Sequence, residues 1–346
     1  MQINRREFIR NASLFGAANI TERKPGMAQV SGQSVSGNGT GTVPHRELGK
    51  TGVKVSCIGV GGYHLGSTKD QKEANQLVSE ALEAGINFFD NAWDYHSGHS
   101  ESVLGTALQG KRDKAFVMTK VCTHGRNKNV AMQQLEESLR RLKTDHLDLW
   151  QVHEVIYYND PDKIFAPDGV AEALITAKQQ GKVRFVGFTG HKDPAIHLRM
   201  LRQGFPFDTV QMPLNCLDAT FRSFEQQVLP EAQRCGLAVL GMKSLGGSGE
   251  IVRGGVATAY EALRYAMSLP VATTISGMDT LAILHQNLEV ARDFQPMTEQ
   301  EMVALRQRAS IWAADGRFEL FKTTKKYDGG EGRTQHHFPS SQELPA

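Results

Sequence analysis

Phe88-Phe89-Asp90-Asn91-Ala92-Trp93-Asp94-Tyr95 begins with two apolar residues, ends that run on a carboxylate, and places a tyrosine five residues further on. The arrangement recurs downstream. Val117-Met118-Thr119-Lys120 is an apolar run that ends on a lysine, and Leu147-Asp148-Leu149-Trp150-Gln151-Val152-His153 ends on a histidine. Asp90 to Lys120 is 30 residues and Lys120 to His153 is 33, each the length of one strand–helix unit. Polar groups at the same end of successive buried parallel strands share one mouth when the strands close into a (β/α)8 TIM barrel, and that mouth is where such barrels do chemistry.

The same alternation runs along the chain. Short apolar runs lie at Val55–Val60, Asn87–Asp90, Phe116–Lys120, Leu147–Val152, Val183–Phe188, Thr209–Met212, Leu237–Met242 and Ala272–Ser276. Segments of helical period separate them, such as Ala74-Leu77-Val78-Ala81-Leu82 and Met132-Leu135-Leu139-Leu142. Several of these end at a glycine just before the next strand, at Gly85, Gly181 and Gly236, as a left-handed helix stop requires. An open doubly wound sheet would give the same alternation. No G-x-G-x-x-G follows the first strand, where Gly59-Val60-Gly61-Gly62-Tyr63 has the glycines without the spacing, so the barrel is preferred. Ahead of it, His45–Ser56 with Lys50-Thr51-Gly52 at its centre predicts an N-terminal β-hairpin closing the opposite mouth. Behind it, Thr298–Ala309 predicts an extra C-terminal helix, with Thr298 at the N-cap and Glu301 three residues on. The barrel is assigned to residues 45–327, and the polar, Gly-rich residues 328–346 are expected to form a disordered tail.

Composition removes several classes of function. The 346 residues are 40% hydrophobic and 22% charged with a net charge of +2, and no basic stretch is interleaved with aromatics, so nucleic acid is not an expected partner. No apolar run approaches the roughly 20 residues of a membrane-spanning helix. Cys57, Cys122, Cys216 and Cys235 form no CxxC pair and read as structural thiols. The N-terminus is a separate object. Asn4-Arg5-Arg6-Glu7-Phe8-Ile9-Arg10 matches a twin-arginine export pattern, Ala12 to Ile20 is a weak apolar stretch, and Gly26-Met27-Ala28 offers a cleavage site. Residues 1–28 are therefore expected to be a signal peptide read by the export machinery, with a periplasmic destination. Residues 29–44, rich in Gly, Ser and Thr, are expected to be a flexible linker.

Taken singly, Asp90, Tyr95, Lys120 and His153 each have a structural explanation; four of them at one barrel mouth form a reaction site. The segment from Phe89 through Tyr95, continued by Glu101-Ser102-Val103-Leu104-Gly105-Thr106-Ala107-Leu108, resembles the signature around the catalytic Asp and Tyr of aldo-keto reductases. Leu147–His153 resembles the strand that bears the histidine of that family, and the resemblance runs from about His45 to Asn287. It implies an NAD(P)-dependent oxidoreductase acting on an aldehyde, ketone or sugar carbonyl, or on the corresponding alcohol. Tyr95 would deliver the proton as hydride arrives, Lys120 would lower its pKa, Asp90 would hold Lys120, and His153 would orient the substrate oxygen.

For the cofactor, the resemblance implies Gly62, Tyr63, Asp90, Thr189 and Gln211 at the nicotinamide end. Met242, Lys243, Leu245 and Gly246 fall in the stretch where many members stack a tyrosine on the nicotinamide; this chain lacks that aromatic, and Leu245 and Gly246 would shape a pyrophosphate loop. Ser276, Gly277, Met278, Gln286 and Asn287 fall at the adenosine end. Ile283 stands where an arginine usually grips the 2′-phosphate, so the choice between NADP and NAD stays open, with Lys243 or Arg292 as substitutes for that cation. Tyr63 and Trp93 are expected to line the substrate pocket. His96, His99 and His124 stand near the mouth, but without an i, i+4 pair or H-E-x-x-H no metal is expected. Two other readings use the same fold: a cofactor-binding regulatory subunit like the potassium-channel β-subunits, and a periplasmic sugar oxidoreductase that retains its nucleotide.

Overall fold

The structure, a computed structural model, describes residues 41–335 and 337–343. The twin-arginine segment and most of the expected linker lie outside the described residues. Two strands, β1 (His45–Glu47) and β2 (Lys54–Ser56), pair antiparallel. The other eight are β3 (Ile58–Gly61), β4 (Phe88–Asp90), β5 (Phe116–Val121), β6 (Leu147–Val152), β7 (Val183–Thr189), β8 (Thr209–Pro213), β9 (Ala238–Met242) and β10 (Thr273–Gly277). They are all parallel and close in the order β10-β3-β4-β5-β6-β7-β8-β9. This is the expected (β/α)8 barrel.

One expected strand is two. Val55–Val60 reads as a continuous apolar run, yet it divides at Cys57, whose N–H donates to the Pro44 carbonyl while the Ser56 hydroxyl donates to the Ile58 carbonyl. The first half completes the hairpin and the second enters the barrel. Leu48 and Val55 from the hairpin pack with Phe88, Phe116, Met118, Leu149, Leu240 and Ile275 inside the barrel. Phe88, Phe116 and Ala238 of this cluster are the first residues of β4, β5 and β9, so the hairpin plugs the floor opposite the mouth.

Helices cover the barrel with the faces that the helical period predicts. Gln71–Glu83 buries Ala74, Leu77, Val78 and Ala81, and Asp70 caps it by accepting from the Glu73 N–H. Lys128–Leu142 buries Ala131, Leu135, Leu139 and Leu142. The three glycine stops all take positive φ, at 95°, 71° and 73° for Gly85, Gly181 and Gly236, a conformation that costs an L side chain about 1–2 kcal/mol. The extra helix runs Glu299–Ala313, with Thr298 and Glu301 forming the reciprocal capping box.

The C-terminal segment departs from expectation. Residues 328–335 and 337–343 fold across the barrel mouth. The Asp328 carboxylate accepts from Lys192 Nζ at 2.7 Å, and the Gly329 N–H donates to the Glu154 carboxylate. The Arg333 guanidinium lies 5.0 Å from the centre of the Tyr157 ring, and a Cβ on Gly332 would come within 2.5 Å of the Cys122 carbonyl oxygen. Polar, Gly-rich composition predicts a disordered tail, but here the polar groups are anchors and the glycines permit close approach. Upstream, Lys322 is fully buried, bonded to Asp218 at 2.6 Å and to Glu319 at 3.0 Å. At the other end, Val43 of the expected linker is buried in the core, its N–H bonded to the Ala84 carbonyl.

Candidate active site

Strand register brings the four expected residues together. Gly61 pairs with Asp90, Lys120 with Gln151, and Thr189 with Gln211, which sets these strand ends around one mouth. Lys120 is 1% exposed. Its ammonium donates to Asp90 Oδ1, to the Asn91 carbonyl at 2.7 Å and to Tyr95 Oη at 3.4 Å. Tyr95 meets the His153 ring edge-on, with 5.6 Å between centroids. Gln211 Nε2 donates to the second Asp90 oxygen at 3.3 Å. Gly62 allows this packing: a Cβ there would sit 2.2 Å from the Asp90 carbonyl oxygen.

Sequence reading missed Asp94. Its Oδ1 faces His153 Nδ1 at 3.3 Å, a close contact without hydrogen-bond alignment. Burial, the largest single influence, opposes ionisation of Asp94, but the combined pull of His153, Cys122 and His124 outweighs it and brings the carboxyl down to about 2. With Nδ1 turned to Asp94, Nε2 is the histidine nitrogen left for a ligand. A signal was available, since Asp94 is the carboxylate beside Tyr95 in the quoted loop.

One electrostatic expectation is corrected. Lys120 reaches Tyr95, yet the Tyr95 hydroxyl is pushed well above the ordinary tyrosine range. Burial is the main cause, reinforced by Asp90, Asp94, Glu154 and Cys122. Lys120 spends much of its charge on Asp90. Tyr95 is therefore held firmly as an acid, the form that donates a proton to a developing alkoxide.

The mouth opens into a cavity of about 980 Å³ that runs from these residues to Gln286 and Asn287. Of the residues expected to hold a cofactor, Gly62, Tyr63, Asp90, Thr189, Met242, Lys243, Leu245 and Gly246 line it, as do Ser276, Gly277, Gln286 and Asn287. Gln211 lies just below, bonded to Asp90. Met278 does not line it and is fully buried in the core. Tyr63, 52% exposed, stands at the rim, edge-on to Tyr95. Trp93 does not line the pocket. It is 2% exposed, and its indole N–H donates to Glu137 at 2.8 Å on the helix side. Asp94 and Tyr95 face the mouth while Trp93 turns outward, an alternation that loop position alone did not reveal. His96 rims the cavity through a bond to the Tyr63 carbonyl; His99 is exposed and His124 buried.

The cavity fits a dinucleotide. Its volume lies at the upper end of ligand pockets, and Gly61, Gly62, Gly277 and the Gly246–Gly249 turn leave backbone open to it. Gln211 Oε1 and Asp279 Oδ1 are buried without a hydrogen-bond partner, as groups awaiting a ligand would be. Ile283 lines the adenosine end together with Asp279. Lys243 also lines the wall, its ammonium 5.4 and 5.1 Å from the Phe321 and Tyr327 rings. Burial brings its pKa down to about 8. Arg292, the other proposed substitute cation, is not part of the lining. The Tyr327 hydroxyl bonds Ser248 Oγ at 2.7 Å and Glu250 at 2.8 Å, which ties the C-terminal segment to the glycine-rich turn.

Comparison with known proteins agrees with this fold. Residues 57–254 match the Aldo/keto reductase family. The chain is 30% identical over 203 residues to the aldo-keto reductase YhdN of Bacillus subtilis, a match covering 55% of this chain and 58% of that protein. It is 31% identical over 217 residues to the 6-dehydroglucose reductase of Novosphingobium aromaticivorans, covering 58% and 69%. The match thus spans less than two thirds of the length of YhdN. Among solved structures, the holo form of aldo-keto reductase AKR11C1 from Bacillus halodurans superposes with a TM-score of 0.66 at 25% identity, covering 78% of this chain and 97% of that one.

Proposed function

The chain belongs to the aldo/keto reductase family, and we propose that it is a nicotinamide-dependent reductase of a sugar-class aldehyde or ketone. The observation that carries this is the convergence of Tyr95, Lys120, Asp90 and His153 at one end of the cavity. The cofactor, when bound, supplies the hydride. Tyr95 Oη gives its proton to the carbonyl oxygen, and Lys120, 3.4 Å away, stabilises the phenolate left behind. Asp90 fixes the ammonium through a charge-assisted bond. His153, turned by Asp94, presents Nε2 to the substrate oxygen. The polar rim and the likeness to a 6-dehydroglucose reductase support a polyhydroxylated substrate.

For the cofactor we propose that NADH serves at least as well as NADPH. Ile283 offers no cation to a 2′-phosphate, and Asp279 beside it in the wall suits a ribose hydroxyl better than a phosphate. Paired titrations with both nucleotides, followed by loss of nucleotide absorbance with a panel of aldehydes and sugars, test both readings. Absence of turnover alongside tight nucleotide binding would favour the regulatory-subunit alternative. The tie from Tyr327 to Ser248 and Glu250 favours the nucleotide-retaining variant of the enzyme, because it bridges the turn that would cover the pyrophosphate. We further propose export through Arg5-Arg6; full-length wild-type protein found only in the cytoplasm on fractionation would refute it.

A further inference from the structure

Beside His153 lies a cluster that the reduction does not use. Cys122 follows β5, His124 is two residues on, and Glu154 follows His153. Cys122 Sγ is 3.4 Å from His124 Nε2, which is 3.3 Å from Glu154 Oε2. A second trio, Asp94, Cys122 and His153, shares the same sulfur, and within each trio the donor atoms all lie within 4.8 Å of one another.

These separations have a meaning beyond hydrogen bonding. Zinc bonds of about 2.3 Å to sulfur and about 2.0–2.1 Å to nitrogen or oxygen, at tetrahedral angles, put neighbouring ligand atoms roughly 3.3–3.6 Å apart. The observed 3.4 and 3.3 Å are edges of such a tetrahedron. Hydrogen bonding leaves His124 Nδ1 buried without a partner, and Asp94 Oδ1 and His153 Nδ1 face each other at 3.3 Å without hydrogen-bond alignment. Two neighbouring cations are already occupied. Arg126 bonds Asp160 and the His153 and Glu154 carbonyls, and Lys120 bonds Asp90. A route exists as well, since Asp94, His153 and Glu154 line the active-site cavity.

We propose that Cys122, His124 and Glu154 form a binding site for a thiophilic divalent cation of the zinc class, reached through the active-site cavity, with Asp94 facing the fourth position. A thiolate, an imidazole and a carboxylate are a ligand set that zinc accepts, and three protein ligands with an open fourth position are a common arrangement for it. Occupancy draws Asp94 from His153 towards the metal, so the cation loosens the group that aims the catalytic imidazole and acts as an inhibitor of reduction.

Cobalt(II) is the probe, because it substitutes for zinc and is coloured. Titrated into the full-length, nucleotide-free protein, it should bind at one equivalent, with the intense near-ultraviolet band of a cobalt–thiolate bond and the visible bands of tetrahedral geometry. Cys122→Ser should abolish the near-ultraviolet band, and His124→Ala should weaken binding at least about tenfold, a loss of roughly 1.4 kcal/mol. Nucleotide binding by each variant reports that the barrel is folded. Should Cys122→Ser fail that check, Glu154→Gln replaces it, with a loss of affinity as the expected result. A near-ultraviolet band that survives Cys122→Ser would place the metal on another thiol and overturn the proposal. So would wild-type protein without the band at stoichiometric cobalt. Both readouts are independent of turnover, so they stand apart from the reductase assay.

Discussion

At the scale of single residues, Tyr95 and Lys243 carry the sharpest consequences. Among the described residues, Tyr95 presents the hydroxyl that Lys120 can stabilise as a phenolate. Tyr95→Phe should cost about 10²–10⁴ in kcat, the usual contribution of a general acid, while the nucleotide Kd stays near wild type. Steady-state kinetics with fluorescence titration separates the two, and a variant retaining half its activity would remove Tyr95 from the chemistry. Lys243 is faced by Glu154, Lys120, Asp90 and Glu250, and burial holds its pKa at about 8 against 10.5 in the unfolded chain. Between those values the unfolded chain binds more protons than the native one, so this residue's contribution to stability rises with pH through that window and its burial cost is complete below about 8. Lys243→Met should therefore raise the Tm of the nucleotide-free protein more at pH 7 than at pH 9; thermal scans giving an equal gain at both would contradict this. Lys120 and His153 were legible in the sequence because a polar residue closing an apolar strand has few reasons to be there. Trp93 was not, because a loop has no period from which to read which way a side chain turns.

Elements show where pattern is informative and where it stops. The barrel strands and the glycine stops follow from periodicity and backbone sterics, both of which are local. The break at Cys57 depends on Pro44, and the folded C-terminal segment depends on Glu154 and Lys192, partners far away in sequence. Removing residues 328–346 should leave the barrel folded, because the core cluster does not draw on them. It should raise KM for the carbonyl substrate and leave kcat nearly unchanged, since this segment walls the cavity without touching Tyr95; circular dichroism and initial rates check both. The short helix Leu320–Thr323 is held by a different device. Lys322→Met would leave Asp218 and Glu319 buried without their cation, a loss of about 3–5 kcal/mol. Urea unfolding measures it, and pairing the change with Glu319→Gln should recover part of the loss.

On the scale of the whole molecule, the barrel has two unlike faces. The mouth carries the chemistry and is crossed by the C-terminal segment. The floor carries the hairpin plug, and the described chain enters near the ends of two outer helices: Val43 N–H bonds the Ala84 carbonyl, and a Cβ on Gly41 would lie 3.7 Å from the Arg292 carbonyl oxygen. Barrel helices run back from mouth to floor, so these helix ends mark the floor side. An immobilised preparation should feel the difference. Anchored to a bead through a tag ahead of residue 41, the protein holds its entrance towards the solution and should turn over as it does when free. Anchored through a C-terminal tag, it turns that entrance to the matrix and pulls on the strand of chain that walls it.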